Sequence, residues 1–413
     1  MTNGSAEAHR VDNPLEGVTV IELGQFIAGP MAGQQLADFG ARVIKIERPG
    51  AGDPFRTYDA ARRIENYGYN FRAYNRKKLS VTLDIQSPEG AAVLKRMIKK
   101  ADVLLENFRP GVMARAGLDY DTIKSLNDKI IYCSISGFAE EGPNRSRPAF
   151  DTIGQALSGM LHLFVDPQKP LMRGPTIVDQ ATGLQAARAI MAMLVGKGKS
   201  GRGGRIDISM VDAAIGFIPD VLAAHTDVGL KIDTTTRSAG SQAFVMACGD
   251  GKLIAIQLGG LHKNWIALTN ALGRPDFAED ERFKLRPTRV ANWLTLMDEF
   301  RPVFKSQTRE VWLERLLAAD LPCSEVRDIS EVLDGSEVKH SQLFETREHP
   351  QAGPLTLMKR VARIDSSRGP EQPLPALLGE HNSALLDELG YSQEEIDQLR
   401  HKGAFGQQPE PVK

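Results

Sequence analysis

Cysteine is scarce. Three are spread over 413 residues, Cys133, Cys248 and Cys323. So sparse and odd a set argues against a disulfide framework and suits a reducing, cytoplasmic setting. Histidine is almost as scarce: the eight histidines fall into no metal-ligand spacing, so no metal is expected. No apolar run approaches the ~20 residues needed to cross a bilayer. The N-terminal MTNGSAEAHRVDNP is polar and lacks a signal peptide's apolar segment. Residues 1–13 read as a disordered leader and 401–413 as a frayed tail. An excess of charge of either sign is also missing. Fifty-one Lys and Arg face 52 Asp and Glu, a net charge of −1, which leaves no global field for nucleic acid or a membrane. An anionic ligand must be met by a local cluster of Arg and Lys.

Nucleotide fingerprints are absent as well. The loop after the first apolar strand carries Gly24, Gly29 and Gly33, which do not fit G-x-G-x-x-G. Glu47 closes the second strand where a ribose-binding acid would sit, and Arg48 follows it, but without the fingerprint NAD is not expected. Gly198-Lys199-Ser200 resembles the end of a phosphate loop. The residue where that loop needs its first glycine is Met193, and the segment follows a helix rather than a strand. It reads as a solvated turn.

What is present is ordinary globular composition, 42 % hydrophobic and 25 % charged, in a chain longer than one typical domain. Val18–Leu23 and Val43–Glu47 are apolar strands flanking a short helix that carries Pro30 in its first turn and ends at Gly40. The pattern recurs: strand Lys78–Asp84, a helix from Pro88, strand Asp102–Glu106, helix Tyr120–Asn127 and strand Ile130–Ile135. Such alternation through about residue 210 implies an α/β, Rossmann-like large lobe with a parallel sheet. Ligands bind such sheets at the carboxyl ends of the strands, so the loops that matter are 24–30, 47–53, 106–111 and 136–151. A helix, Val211–His225, lies within a linker at 211–234. A hairpin around Asp250-Gly251 and three helical segments then indicate a smaller α+β lobe over 235–330. Residues 331–400 read as a Pro-rich linker and a C-terminal return to the large lobe at 14–210, ending in the helix NSALLDELG.

One stretch stands out: Arg173–Ala214, in which Asp179 follows an extended lead-in and precedes a helix, a Gly/Lys/Arg-rich turn, a strand and another helix. Asp just before a helix is by default an N-cap. A helix N-terminus also favours an ionised carboxylate, and an ionised carboxylate is a nucleophile. Both readings stand at this point. Arg48, Lys78, Arg115 and Arg147 would be solvated surface cations anywhere else, but each lies in or near a loop at the ligand-binding edge.

Across nearly the whole chain the sequence resembles the class III CoA-transferases, the family of formyl-CoA and carnitine CoA-transferases, more distantly related to alpha-methylacyl-CoA racemase. The matching stretches are PLEGVTVIELGQFIAGP, GARVIKIERPGAGDPFR, NRKKLSVTLD, ADVLLENFRPGVMARAGLDY, RPAFDTIGQALSG, VDQATGLQAARAIMAML, GRGGRIDISMVDAA and LPALLGEHNSALLDELGYS, in family order. The resemblance implies an interlocked homodimer with the active site between lobes at the dimer interface. It also implies an acyl-CoA and a free carboxylic acid as substrates, succinyl-CoA being a common donor. Residue by residue it implies Asp179 as the catalytic aspartate. For CoA it implies Ile27, Ala28, Arg48, Asn75, Lys78, Asn107, Phe108, Arg115 and Arg147, and for the transferred group Gln25, Gly259 and Gly260. Backbone N–H groups beside Asp179 are expected to stabilise oxyanions. In the racemases a proton-shuttling histidine lies in a Gly-His-Asp stretch, which here reads Ala149-Phe150-Asp151; phenylalanine moves no proton. The alternatives are an acyl-CoA epimerase and a CoA-binding protein without activity.

Overall fold

The computed structural model describes residues 13–59, 64–371 and 373–405, which form two compact units. The first unit comprises the described residues up to Leu161, then Arg173–Asp220 and those from Gln342 onward; the second comprises His162–Met172 and Val221–Ser341.

The first unit is built on six strands: β1 (Thr19–Leu23), β2 (Arg42–Glu47), β3 (Leu79–Thr82), β4 (Val103–Glu106), β5 (Ile131–Ser136) and β6 (Gly204–Ser209). All pair in parallel, in the order β3-β2-β1-β4-β5-β6. Their side chains alternate between two cores. Ile21, Ile44 and Leu104 face the helix Pro88–Ile98 (Val93, Leu94, Met97) together with Leu385, Leu386, Ile396 and Phe405 of the returning chain. Val20, Val43, Val103 and Leu105 face the helices Ala28–Asp38 and Ile177–Ser200. Burial on both faces is why these strands read as unbroken apolar runs. The strand order reverses between β1 and β4, so the loops leaving these two strands frame a crevice.

The loop after β1 rests on buried charge. Lys45 Nζ on β2 donates to Glu22 Oε1 (3.0 Å) and the Gly24 carbonyl (2.6 Å), and pairs with Asp53 Oδ2 (3.0 Å). Asp53 Oδ1 accepts the N–H of Phe26 (3.1 Å), which holds that residue at φ +60°, a conformation a phenylalanine adopts only when its surroundings impose it. Burial opposes the Lys45 charge, but Asp53 and Glu22 outweigh it and hold the ammonium above the usual lysine range. Beside it, Lys78 Nζ donates to Pro30 O (2.7 Å) and Asn75 Oδ1 (3.0 Å) and pairs with Glu22 Oε2 (2.8 Å).

Several local expectations are corrected. The helix Ile177–Ser200 runs straight through Gly196–Ser200, and the chain turns only at Gly201 (φ +69°), so the glycines expected to make a turn form a last helical turn. The single helix expected over 211–225 is two, Met210–Ile215 and Pro219–Val228, because Pro219 lacks the N–H a continuing helix needs and serves well only at a helix start.

In the second unit the hairpin around Asp250-Gly251 joins β7 (Ala243–Ala247) to β8 (Leu253–Gln257), and β9 (Cys323–Glu325) completes an antiparallel sheet over a core that includes Phe244, Trp265, Phe300 and Trp312. The Pro-rich stretch after it contains an unexpected hairpin in the first unit, β10 (Phe344–His349) with β11 (Gly353–Met358). Pro354 is tolerated there because a two-stranded ribbon leaves one edge of each strand unpaired. Ala404 and Phe405 are buried, so the chain is fixed as far as Phe405; residues 1–12 and 406–413, most of the expected leader and tail, lie outside the described residues.

Replacing Lys45 by Met strands the buried Asp53 carboxylate and leaves Glu22 with Lys78 alone. The expected cost is about 3–5 kcal/mol of unfolding free energy in a urea titration; a loss under ~1 kcal/mol would show that the network bears little of the fold.

Candidate active site

The crevice is closed at its base by one side chain. Asn107, the first residue after β4, accepts the Gln25 N–H at Oδ1 (2.8 Å) and donates from Nδ2 to the Gln25 carbonyl (2.9 Å), tying the loop after β1 to the loop after β4. Above this tie lies a cleft of about 320 Å³, whose walls include Gln25, Ile27, Ala28, Asn107, Phe108, Arg147 and Asp179. The N-terminus of the helix Ala28–Asp38 is at the cleft wall, and the N–H groups of Ile27, Ala28 and Gly29 have no acceptor among the described residues. A second hollow, about 340 Å³, carries Arg48 and shares Gln25, Phe108 and Val112 with the first.

The structure thus brings Asp179 together with Gln25, Ile27, Ala28, Asn107, Phe108 and Arg147, with Arg48 in the adjoining hollow. Five other expected site residues line neither space. Arg115, at the end of the short helix Val112–Arg115, is exposed and lines neither space. Asn75 and Lys78 are buried beneath the helix Ala28–Asp38, where Lys78 is neutralised by Glu22 instead of facing a ligand. Burial pulls its ammonium down to about 8 despite that partner, with Lys45 adding repulsion. Gly259 and Gly260 belong to the second unit, in a turn after β8 with Gly259 at φ +63°.

Asp179 is not the N-cap of its helix. That position is Thr176, whose side chain makes no capping bond, and Asp179 is the third helical residue. The cap comes from elsewhere: buried Asp151 Oδ1 accepts the N–H groups of Val178 (2.7 Å) and Asp179 (3.2 Å), while its Oδ2 accepts from Gln155 Nε2 (2.6 Å). The backbone donors expected to serve oxyanions are therefore already engaged. Two glycines seat the helix. A Cβ at Gly183 would come within 2.8 Å of the Ala28 carbonyl, and one at Gly154 within 2.7 Å of Val178 Cγ1. On the other side Gln180 Nε2 donates to the Tyr74 hydroxyl (2.9 Å). The Asp179 carboxylate receives no hydrogen bond among the described residues. Burial, and then the Asp151 charge, push its pKa up to about 7.

Sequence reasoning missed Asp151, Tyr74, Arg109 and Arg145 as participants. The last two line the cleft, and Arg145 and Arg147 flank Ser146 in the loop already marked for ligand binding. No group of metal-ligating side chains occurs among the described residues.

Comparison with known proteins decides the family. The model for CoA-transferase family III matches residues 15–382. The chain belongs to CoA-transferase family III. It is 32 % identical over 402 residues to the human succinyl-CoA:glutarate CoA-transferase, covering 95 % of this chain and 90 % of that protein. It is 33 % identical to the acetyl-CoA:oxalate CoA-transferase of Acetobacter aceti, covering 91 % and 96 %. Among solved structures it is similar to a CAIB/BAIF family protein from Brucella suis (TM-score 0.79, 29 % identity, 92 % of this chain and 100 % of that one). It is also similar to a hypothetical protein from Mycobacterium tuberculosis (TM-score 0.77, 32 % identity, 91 % and 100 %). This family III chain is thus an enzyme with a CoA thioester as substrate, built on the six-stranded parallel sheet that its relatives share.

The raised Asp179 pKa has a consequence for stability. A carboxyl group whose folded pKa lies above its unfolded value costs stability as pH rises from about 4 to about 7, and the full cost persists above. Asp179→Asn, which carries no charge, is expected to melt higher than the parent chain at pH 8 and nearer to it at pH 4. An equal difference at both pH values would contradict the buried-charge assignment.

Proposed function

We propose that the enzyme moves CoA from an acyl-CoA donor to a free carboxylic acid through covalent intermediates on Asp179. The observation that carries this reading is the Asp179 carboxylate itself: half-buried, unpaired, and in one cleft with the free N–H groups at the start of the helix Ala28–Asp38. A carboxylate kept merely to cap a helix would be bonded to that helix.

Ionised Asp179 attacks the donor thioester carbonyl; the C–S bond breaks, giving a mixed anhydride and CoA thiolate. The thiolate attacks the aspartyl carbonyl, the donor acid leaves, and an aspartyl-CoA thioester remains. The acceptor carboxylate attacks that carbonyl, forming a second anhydride and freeing the thiolate again. The thiolate then takes the acceptor's acyl group and Asp179 is restored as carboxylate. Both substrate and product are thioesters, so no ATP is needed, and one difficult exchange becomes several easier ones. Each tetrahedral oxyanion has donors at the Ile27–Gly29 turn rather than at the engaged N–H groups of Val178 and Asp179. Asn107 and Phe108 line the route from Arg48 to Asp179, and Arg48 and Arg147 supply positive potential for the CoA phosphates. The glutarate and oxalate enzymes among its relatives make succinyl-CoA and acetyl-CoA the donors of first resort.

We also infer the interlocked homodimer. The ten-residue helix Pro219–Val228 buries none of its residues within the chain, and Phe217, Leu222 and Val228 nearby are exposed. So short a helix is marginal without a packing partner. Mass photometry of the purified chain is expected to give a dimer throughout the nanomolar range; a monomer would remove this part of the reading.

Asp179→Ala is expected to lower transfer by roughly a thousandfold or more, about 4 kcal/mol of barrier. In the parent enzyme kcat/KM is expected to rise with pH through an apparent pKa of about 7, because only the ionised carboxylate attacks. Unaltered transfer by the alanine variant would remove Asp179 from the chemistry.

A further inference from the structure

An aspartate at the third position of a helix ordinarily bends back to the open N–H groups of the first turn, where the helix dipole rewards it. Asp179 has that position and does not make that bond. Two of the N–H groups of that turn, those of Val178 and Asp179, are filled by a carboxylate 28 residues earlier in the chain, Asp151, held on its other oxygen by Gln155. The residue whose own side chain should cap the helix, Thr176, makes no capping bond; it meets the Tyr74 hydroxyl instead, and Tyr74 is held in turn by Gln180. The first turn is thus clamped from both sides by residues other than the one that reacts.

We propose that Asp151 is a positioning residue for Asp179: by occupying the Val178 and Asp179 N–H groups it prevents the reactive carboxylate from capping its own helix and leaves it free in the cleft. The inference rests on the covalent reading above, since only a nucleophile gains from being left unbonded. A second effect follows from the same placement. The titratable groups acting on Asp179 are Asp151 on the helix Asp151–Leu157 and Tyr74 on the helix Tyr69–Tyr74, and Arg109, Arg145 and Arg147 line the same cleft. Of these only Asp151 is anionic and bonded to Asp179's own backbone, so it keeps the nucleophile basic as well as free.

Two variants separate the cap from the charge. Asp151→Asn keeps an oxygen for the two N–H groups and removes the charge. Gln155, whose buried Oε1 has no hydrogen-bond partner among the described residues, can turn its amide to receive the new NH2. Asp151→Ala removes both cap and charge. The readouts are kcat and KM for an acyl-CoA donor, the pH profile of kcat/KM, and titration of the Asp179 carboxyl carbon by NMR in 13C-aspartate-labelled enzyme, assigned by its loss in Asp179→Asn.

Asp151→Asn is expected to move the Asp179 titration and the acid limb of kcat/KM downward by at least half a pH unit, with kcat at pH 8 within about threefold of the parent. Asp151→Ala is expected to lower kcat tenfold or more with KM within about threefold, since the cleft walls that hold CoA are untouched. Rescue by the amide and not by the methyl group distinguishes positioning from general instability. An unmoved titration in Asp151→Asn, or an Asp151→Ala enzyme with kcat within twofold of the parent, overturns the proposal. Should the alanine variant not fold, the Asn titration decides alone. Because that titration is read without turnover, it reports on Asp151 even if Asp179→Ala proves active and the covalent reading falls.

Discussion

A buried ammonium supports everything the active site does. Lys45 joins a carboxylate from β1, a carboxylate from the loop after β2 and the carbonyl of Gly24, all out of solvent. Taking those charges from water is costly unless each has an opposite charge close by, and here each has one within 3.0 Å. In return the turn between β1 and its helix is fixed in a shape its sequence would not choose, with Phe26 in the left-handed region. The helix after it presents free N–H groups at a set place in the cleft. Lys78 does the same one layer away, gripping Pro30 from below. These lysines act on the ligand's binding surface through the backbone.

On that base the site is a meeting of helix starts. In the proposed mechanism, donors for a developing anion come from the turn before the helix Ala28–Asp38, and the nucleophile comes from the first turn of the helix Ile177–Ser200. The two helices approach closely because Gly183 has no side chain. The usual conflict between an aspartate's capping tendency and its availability is settled by supplying the cap from Asp151. Basicity of the carboxylate then comes from burial next to a second negative charge, with no donor to it among the described residues.

Much of the fold was legible because physical pattern and structure coincide locally. Strands buried on both faces leave unbroken apolar runs, and Pro88 after Ser87 marks a helix start that the Ser87 hydroxyl caps. The carboxyl-end rule marked four loops; 24–30, 106–111 and 136–151 line the cleft, and 47–53 reaches the adjoining hollow through Arg48. Where the reading fell short, the deciding partner was distant in sequence. Lys78 within NRKK looks like a surface cation, since nothing nearby announces that Glu22 waits inside β1. Asp179 looks like a cap because Asp151 is 28 residues away. Gly196 and Gly198 look like a turn because glycine weakens helices, yet the last helical turn forms and Gly201 ends it. The hairpin β10–β11 was hidden by prolines that an isolated ribbon tolerates.

The central claim is that an oxygen of Asp179 is exchanged with the acids that pass through the site. A single turnover with an acceptor acid labelled in both carboxylate oxygens by heavy oxygen, followed by mass spectrometry of the peptide containing residue 179, tests it directly. The account expects one heavy oxygen in that peptide and one retained in the product thioester, because the acceptor attacks the aspartyl carbonyl and leaves an oxygen behind. A product thioester formed with no label in the peptide would contradict it.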